Sequence, residues 1–210
     1  MSWAVIAIAL PFLLVLATGY VKLAVVLAIL RRALGGGAVP PPSVTAVIAL
    51  LLALFVTAPL AESVWAQAGP SMVTAAGKGG IADAAGVAEK AAAPVRAFLA
   101  AHTPARERQS FVDLAKRLRP AGAARDAVRD DDLLVLASAF ATAELKAAFR
   151  VGFFLFLPFL LIELVVGTVL LALGMSAVSP ETVSLPFKLL LFVAVDGWHL
   201  LVRGLILGET

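Results

Sequence analysis

Four apolar runs dominate the chain, and their spacing predicts helices that pair as two hairpins. The runs cover residues 3–30, 44–61, 151–173 and 182–207. A helix that crosses a bilayer needs about 20 predominantly apolar residues, and each run reaches or approaches that length. Glycines at 35–37 and prolines at 40–42 separate the first two runs, because these residues do not continue a helix. A turn sequence at 174–180 separates the last two runs.

Helix-breaking and charged residues within the runs predict where the helices begin and end. Pro11 and Gly19 are natural places for a break or kink in the first run. The second run is expected to close near Pro59 and Glu62. The fourth run is expected to continue as a single segment as far as Leu207.

The middle of the chain has a different character and predicts an insert outside the membrane. Residues 105–132 are rich in charged side chains. Apolar side chains recur there at roughly helical spacing, which predicts amphipathic helices whose apolar stripe is core or partner-facing surface; they are Phe98, Leu99, Phe111, Leu114 and Leu118. We therefore predict an all-α protein with an N-terminal hairpin at 1–66, a helical extramembrane insert at 67–143 and a C-terminal hairpin at 144–210.

Composition narrows the class to an integral membrane protein. The chain is 61% hydrophobic with a mean hydropathy of +1.00, whereas soluble domains are usually about 45–50% apolar. The absence of cysteine from the sequence excludes disulfides, thiolate metal sites and cysteine nucleophiles. The net charge of +3 is small, and the basic residues are scattered rather than gathered into a nucleic-acid-binding block.

Two features of the first hairpin concern topology. No basic residue precedes the first apolar run, so we expect that segment to be retained rather than cleaved as a signal peptide. Arg31 and Arg32 lie in the short turn of the hairpin, and positively charged short loops tend to stay in the cytoplasm. This arrangement predicts that the insert and both termini lie on the outer, periplasmic side.

Charged residues inside the apolar runs are the sharpest chemical signal in the sequence. They are Lys22, Glu163, Lys188 and Asp196. An ionised side chain in hydrocarbon costs several kcal/mol unless it finds a partner or a wet cavity. These four charges could line a transport pathway, or they could pair across helices or subunits and hold an assembly together; the second interpretation is favoured because intramembrane charges usually find partners.

Signals for catalysis or cofactor binding are poor. The two histidines, His102 and His199, are isolated from each other and show no metal-ligand spacing. The sequence holds no phosphate-binding loop and no nucleophile elbow. The aspartates at 130–132 are best interpreted as a solvated charge run, and the insert has too few aromatic residues for nucleic-acid stacking. We expect no enzymatic activity, no metal, no cofactor and no nucleic-acid partner.

Several short motifs in a fixed order resemble one family. They begin with the segments at 21–26, 30–35 and 40–42 and continue with those at 144–153, 157–165, 171–175, 185–188 and 195–198. In that order they resemble the SctR/FliP family of type III secretion and flagellar export proteins. The resemblance covers both hairpins and does not extend to the insert.

The chain departs from the family pattern at three places. Ala143 stands where the family commonly has serine, and Glu163 stands where the family has aspartate, which keeps the charge. Many members carry several consecutive methionines at the tip of the second hairpin, whereas this chain has only Met175. Flagellar members usually begin with a cleaved signal peptide, so the start of this chain favours the injectisome branch of the family.

The resemblance implies a subunit of an export gate that conducts unfolded protein across the bacterial inner membrane. About five such subunits wind helically with SctS-like and SctT-like partners, next to SctU-like and SctV-like components. The family is of the multi-pass inner-membrane type, with an assembled complex displaced toward the periplasm. The four charges would then contact neighbouring protein. Candidates for closing the pore are Met175, Phe149, Phe153, Phe154 and Phe156.

Other functions stay open at this point. The same four charges suit a relay in an ion- or proton-coupled small-molecule transporter. An assembly scaffold without a conduit is another possibility, and the export gate could be flagellar instead of part of an injectisome.

Overall fold

A computed structural model describes residues 19–35, 40–78 and 81–207, and these residues form helices without strands. The helices are α1 (Tyr20–Ala33), α2 (Pro42–Lys78), α3 (Ile81–His102), α4 (Ala105–Leu118), α5 (Ala123–Asp126), α6 (Leu133–Ala172), α7 (Pro180–Ala194) and α8 (Gly197–Leu207). The all-α prediction is therefore confirmed over the described part of the chain. Helix α1 begins at Tyr20, immediately after Gly19, whose φ is 63°; the predicted break in the first run stays a prediction, and Pro11 lies outside the described residues.

The chain divides into two compact units. The first contains Ala53–Lys146 and is called the central unit here. The second combines Lys22–Leu52 with the chain from Ala147 onward and is called the hairpin unit. The three-part division predicted from composition, at 1–66, 67–143 and 144–210, stays a prediction.

The central unit is built around a cluster of buried apolar side chains. Residues from α2, α3 and α6 meet there, and they include Leu60, Val95, Leu99, Leu136 and Phe140. A smaller cluster lies beneath α4 and joins Val112, Val128 and Val135. Burying a large aliphatic side chain contributes about 1.5–3 kcal/mol to the free energy of folding. These two clusters therefore stabilise the central unit, whose helix α4 is otherwise rich in charged residues.

The hairpin unit packs α1 closely against neighbouring backbone. One face of α1 is buried, through Leu23, Val26, Leu27 and Leu30. Gly152 permits this packing, because an ideal Cβ placed on it would lie 2.3 Å from the side chain of Ile29. Small residues allow helices to approach in this way in membrane proteins.

Helix α2 does not end where the sequence predicted. It continues through Pro59 and Pro70 to Lys78, so the expectation of an end near Pro59 and Glu62 was wrong. A proline inside a helix removes one backbone donor, and helices of membrane proteins tolerate this loss when other groups adjust. The Thr57 hydroxyl donates to the Ala53 carbonyl at 2.7 Å, one turn earlier in the same helix.

The last apolar run is broken in the structure, contrary to the prediction of one segment as far as Leu207. Helix α7 ends at Ala194 and α8 begins at Gly197, with an angle of 63° between them. Asp196 lies in the break with φ of 50°, a left-handed conformation that aspartate adopts more readily than most residues. Gly197 is required next to it, because a Cβ there would lie 2.4 Å from the Phe192 ring.

Two of the described helices are long and apolar enough to cross a membrane. They are α2, over Pro42–Ser71, and α6, over Leu133–Ala172. The bent pair α7 and α8 would make a third crossing if it forms one broken span. The turn between α6 and α7 lies where the sequence predicted, and Gly174 closes α6 with φ of 72°.

Candidate functional site

An ion pair between α6 and α7 joins two of the four charges that the sequence singled out. The Lys188 ammonium donates a hydrogen bond to Glu163 Oε2, with 2.5 Å between the nitrogen and the oxygen. Both residues belong to the hairpin unit. The structure therefore places a charged contact inside one copy of the chain, between the two helices of the predicted C-terminal hairpin.

The two partners differ sharply in exposure. Lys188 is only 1% exposed, and Ser184, one turn earlier on α7, is fully buried and donates to the Glu181 carbonyl at 3.0 Å. The side chain of Glu163 keeps 38% of its surface exposed. A buried ammonium needs a partner because of its desolvation cost, whereas the carboxylate that partners it still presents an edge to the outside of the chain.

A symmetry in the sequence could have identified this pairing. Glu163 and Lys188 are 25 residues apart and lie nearly equidistant from the turn at 174–179. In an antiparallel helical hairpin, positions equidistant from the turn lie at the same level. The predicted turn and the positions of the two charges would therefore have been enough to predict Glu163 as the partner of Lys188.

The other two predicted charges lie elsewhere in the structure. Lys22 is half-buried in the first turn of α1. Asp196 is exposed in the break between α7 and α8, where its carbonyl accepts the N–H of Leu200 at 3.2 Å. The break therefore separates Asp196 from α7, which carries Lys188.

The predicted pore-closing residues lie mainly on exposed surface. Phe149, Phe153 and Phe154 on α6 are exposed, while Phe156 on the same helix is half-buried. The rings of Phe153 and Phe154 meet edge to face with 5.8 Å between their centroids. Met175 is exposed at the turn that follows α6. The structure brings together Phe153 and Phe154 but leaves Met175 at the far end of the helix.

An apolar cavity in the hairpin unit was not predicted. Its volume is about 370 Å³, and it lies among α6, α7 and α8, with Phe154, Pro158, Leu191, Leu201 and Gly204 in its lining. Phe192 also lines it and packs edge to face against Trp198, with 5.4 Å between ring centroids. The cavity lies beside the 63° bend between α7 and α8, a bend that the hydropathy pattern does not predict.

A second ion pair lies in the central unit. Lys146 Nζ donates to Glu107 Oε1 at 3.2 Å, which links α6 with α4. The hydrogen bond from Lys146 lowers the pKa of the Glu107 carboxyl below its ordinary value, against a smaller opposing effect of burial. Within the described residues, no cluster of three or more histidine, aspartate or glutamate side chains could hold a metal ion.

Comparison with known proteins gives consistent matches. Residues 4–205 match the FliP family. The chain is 45% identical over 202 residues to the hypersensitivity response secretion protein HrcR of Ralstonia nicotianae, covering 96% of this chain and 92% of that protein. It is 43% identical over 201 residues to the Yop proteins translocation protein R of Yersinia pestis, covering 95% and 90%.

A flagellar relative matches less closely. The chain is 36% identical over 196 residues to the flagellar biosynthetic protein FliP of Bacillus subtilis, covering 93% of this chain and 84% of that protein. These matches extend across the insert, which the motifs noticed in the sequence did not cover.

Proposed function

The chain belongs to the FliP family, and we propose that it is a channel-forming subunit of a type III secretion export gate, conducting unfolded protein across the bacterial inner membrane. The proteins from Ralstonia and Yersinia that it resembles are named for secretion and translocation. Their identities to this chain, 45% and 43%, exceed the 36% of the flagellar protein from Bacillus. This order favours an injectisome over a flagellar gate.

One observation carries the proposal: a single copy leaves broad apolar helix faces uncovered. Large exposed side chains on α2 include Val47, Leu51 and Phe55. On α6, Leu161 and Leu164 are exposed on either side of the half-exposed Glu163. Large uncovered apolar surfaces mark protein or membrane contacts, and a carboxylate among them favours contact with protein over contact with lipid.

Further copies of the chain and small partner subunits would cover these faces. In this proposal about five copies assemble with SctS-like and SctT-like subunits, next to SctU-like and SctV-like components. Lys22 and Asp196 would contact neighbouring subunits, and the exposed edge of Glu163 would do the same. The complex would belong to the inner membrane and be displaced toward its periplasmic side.

The conduit would be closed by apolar side chains. Two levels of the conduit would be narrowed once several copies surround it: one by exposed Phe149, Phe153 and Phe154 with half-buried Phe156 on α6, the other by exposed Met175 at the turn that follows α6. An ion- or proton-coupled transporter receives less support, because the buried Lys188 already forms an ion pair with Glu163 inside one copy. A pair that satisfies itself suits a structural role better than a proton relay.

A cross-linking experiment with a stalled cargo tests the proposal. The chain contains no cysteine, so Met175→Cys introduces one reactive thiol. A secreted protein that carries one cysteine and is fused to a domain that cannot unfold would stall in the gate, and under a mild added oxidant the two thiols are expected to form a disulfide. Phe55→Cys, an exposed position on α2 outside the predicted constriction, is the control. Equal cross-linking at both positions, or none at Met175 in a secreting strain, would contradict a conduit lined by this chain.

A further inference from the structure

The apolar cavity among α6, α7 and α8 has the size and lining of a site for a hydrocarbon chain. Its volume of about 370 Å³ falls within the range of ligand pockets, about 300–1,000 Å³. The α6 wall extends from Val151 to Phe159, a length of about 12 Å at about 1.5 Å per residue. Every residue in the lining is apolar or glycine, whereas pockets for polar small molecules also present a few polar groups that orient the ligand. The lining therefore suits an acyl chain.

A glycine on α8 keeps the cavity open. An ideal Cβ placed on Gly204 meets no heavy atom within 4 Å, although Gly204 lies in the wall of the cavity. The exposed side chains of Phe154 and Leu200 also belong to the lining, so the cavity opens to the outside of the chain between α6 and α8. A hydrocarbon chain can enter through this opening, and a bulky side chain at position 204 would occupy the same space.

Two exposed arginines lie at one end of the cavity and are called the rim arginines here. Arg150 and Arg203 each directly precede the outermost lining residue of their helix, α6 and α8 respectively. At the other end Phe159 meets Phe192, with 6.4 Å between ring centroids, and both helices lead away from that contact toward the arginines. Neighbouring residues of a helix are rotated by about 100°, so each guanidinium lies at the rim. Neither arginine pairs with another side chain in the part of the chain that the structure describes.

We propose that the cavity holds an acyl chain of an anionic phospholipid whose phosphate binds the two rim arginines. Complementary charge selects this occupant, because a guanidinium donates paired hydrogen bonds to a phosphate and basic pockets between apolar helices bind anionic lipid headgroups. A free phosphate would leave the cavity unfilled, and an uncharged apolar protein segment would leave both arginines without a counter-charge. The lipid would stay with the subunit as a structural component of the gate, independently of the conduit.

Titration with defined lipids tests the charge requirement. The complex purified with its partner subunits would be depleted of lipid in detergent, and native mass spectrometry would count the lipids that rebind. We expect each copy of the chain to bind phosphatidylglycerol about 25-fold more tightly than phosphatidylcholine, because each arginine near an anionic headgroup contributes about fivefold in affinity. Arg150→Gln and Arg203→Gln should each lose about fivefold. Arg96→Gln, at an exposed arginine of the central unit, should bind phosphatidylglycerol like the wild type.

Filling the cavity tests the requirement for an acyl chain. Gly204→Phe is expected to remove the tight phosphatidylglycerol site, because the added ring occupies the cavity. Gly86→Phe is the matched control, since Gly86 is another helical glycine whose added Cβ meets open space, and it lies on α3 of the central unit. Val151→Phe narrows the cavity from α6 and provides the same test should Gly204→Phe lower the yield of complex. Glycerol phosphate, which has the headgroup without acyl chains, should not compete with phosphatidylglycerol.

A phosphatidylglycerol with a photoactivatable diazirine in its acyl chain shows where that chain lies. We expect labelled peptides from α8 around Leu201, which lines the cavity, and loss of this label in Gly204→Phe. An intact complex with an unlabelled α8 means that a protein segment fills the cavity, and this result overturns the proposal. Equal binding of the two lipids, or unchanged binding in both Gly204→Phe and Val151→Phe, overturns it as well. Each of these results leaves the export-gate proposal standing, since the conduit does not require the lipid.

Discussion

Removing the negative charge from the Glu163–Lys188 pair should destabilise the hairpin unit strongly. In Glu163→Gln the amide can still accept a hydrogen bond, but Lys188, which is 1% exposed, loses its counter-charge. Breaking a buried ion pair from one side typically costs 3–5 kcal/mol. Because 38% of the Glu163 side chain is exposed, we expect the lower end, about 3 kcal/mol.

Replacing the other partner, Lys188, should lower the free energy of unfolding much less. Lys188→Met places an apolar side chain of similar length in the buried position and leaves the charge on Glu163, which is partly exposed. Replacing a buried ionic group with a well-packed apolar one is often neutral, so we expect less than about 1.5 kcal/mol. The double variant should resemble Lys188→Met, which gives a coupling energy of roughly 2–3 kcal/mol between the two positions.

Unfolding by denaturing detergent, followed by circular dichroism of the purified chain in mixed micelles, measures these differences. Glu181→Gln is the control, because Glu181 is exposed on α7 and its carboxylate lies outside the pair. Equal losses of unfolding free energy in Glu163→Gln and Lys188→Met would contradict the buried ion pair. A double variant whose loss is the sum of the two single losses would contradict it as well.

Three further predictions concern packing and pH. Gly197→Ala should lower the free energy of unfolding by about 1–3 kcal/mol, because the added Cβ would collide with the Phe192 ring. Gly204→Ala is the control, because the space around its added Cβ is open and no destabilisation is expected. Thermal unfolding of the two variants makes the comparison. Leu99→Ala should cost about 2–5 kcal/mol in the same assay, since Leu99 is fully buried in the central unit, and a cost below that of truncating an exposed leucine would contradict that core. Glu107 has a lowered pKa, so its contribution is present above its unfolded pKa of about 4.3 and is lost as the pH falls through the folded pKa. In Glu107→Gln the free energy of unfolding should therefore fall less steeply as the pH is lowered. Unfolding curves measured over a pH series test this, and the same pH dependence in variant and wild type would refute a stabilising Glu107–Lys146 pair.

Hydropathy predicted the class of the fold because burial and membrane contact both depend on apolar surface. The helical periodicity of 98–118 predicted the helices of the insert, and the turn at 174–180 was predicted from glycine, serine and proline. The continuation of α2 through Pro59 was missed, because local rules treat proline as a terminator whereas an apolar helix can accommodate it.

The sequence identified the charged residues of the site but not the contacts that they make. The cost of charge in apolar surroundings singled out Glu163 and Lys188, but their pairing depends on the register of a hairpin. The break at Asp196 carries a recognisable Asp-Gly turn signal, which the surrounding apolar residues masked. The packing of Gly197 against Phe192 depends on the path of the chain after that break, and no local pattern contains it.

In the proposed gate, other protein chains cover the charged, apolar helices of this subunit. Native mass spectrometry of the wild-type chain, purified in mild detergent after co-expression with its partner subunits, tests this claim most directly. We expect a complex that contains several copies of the chain together with the smaller subunits. A single copy bound only to detergent and lipid would contradict it.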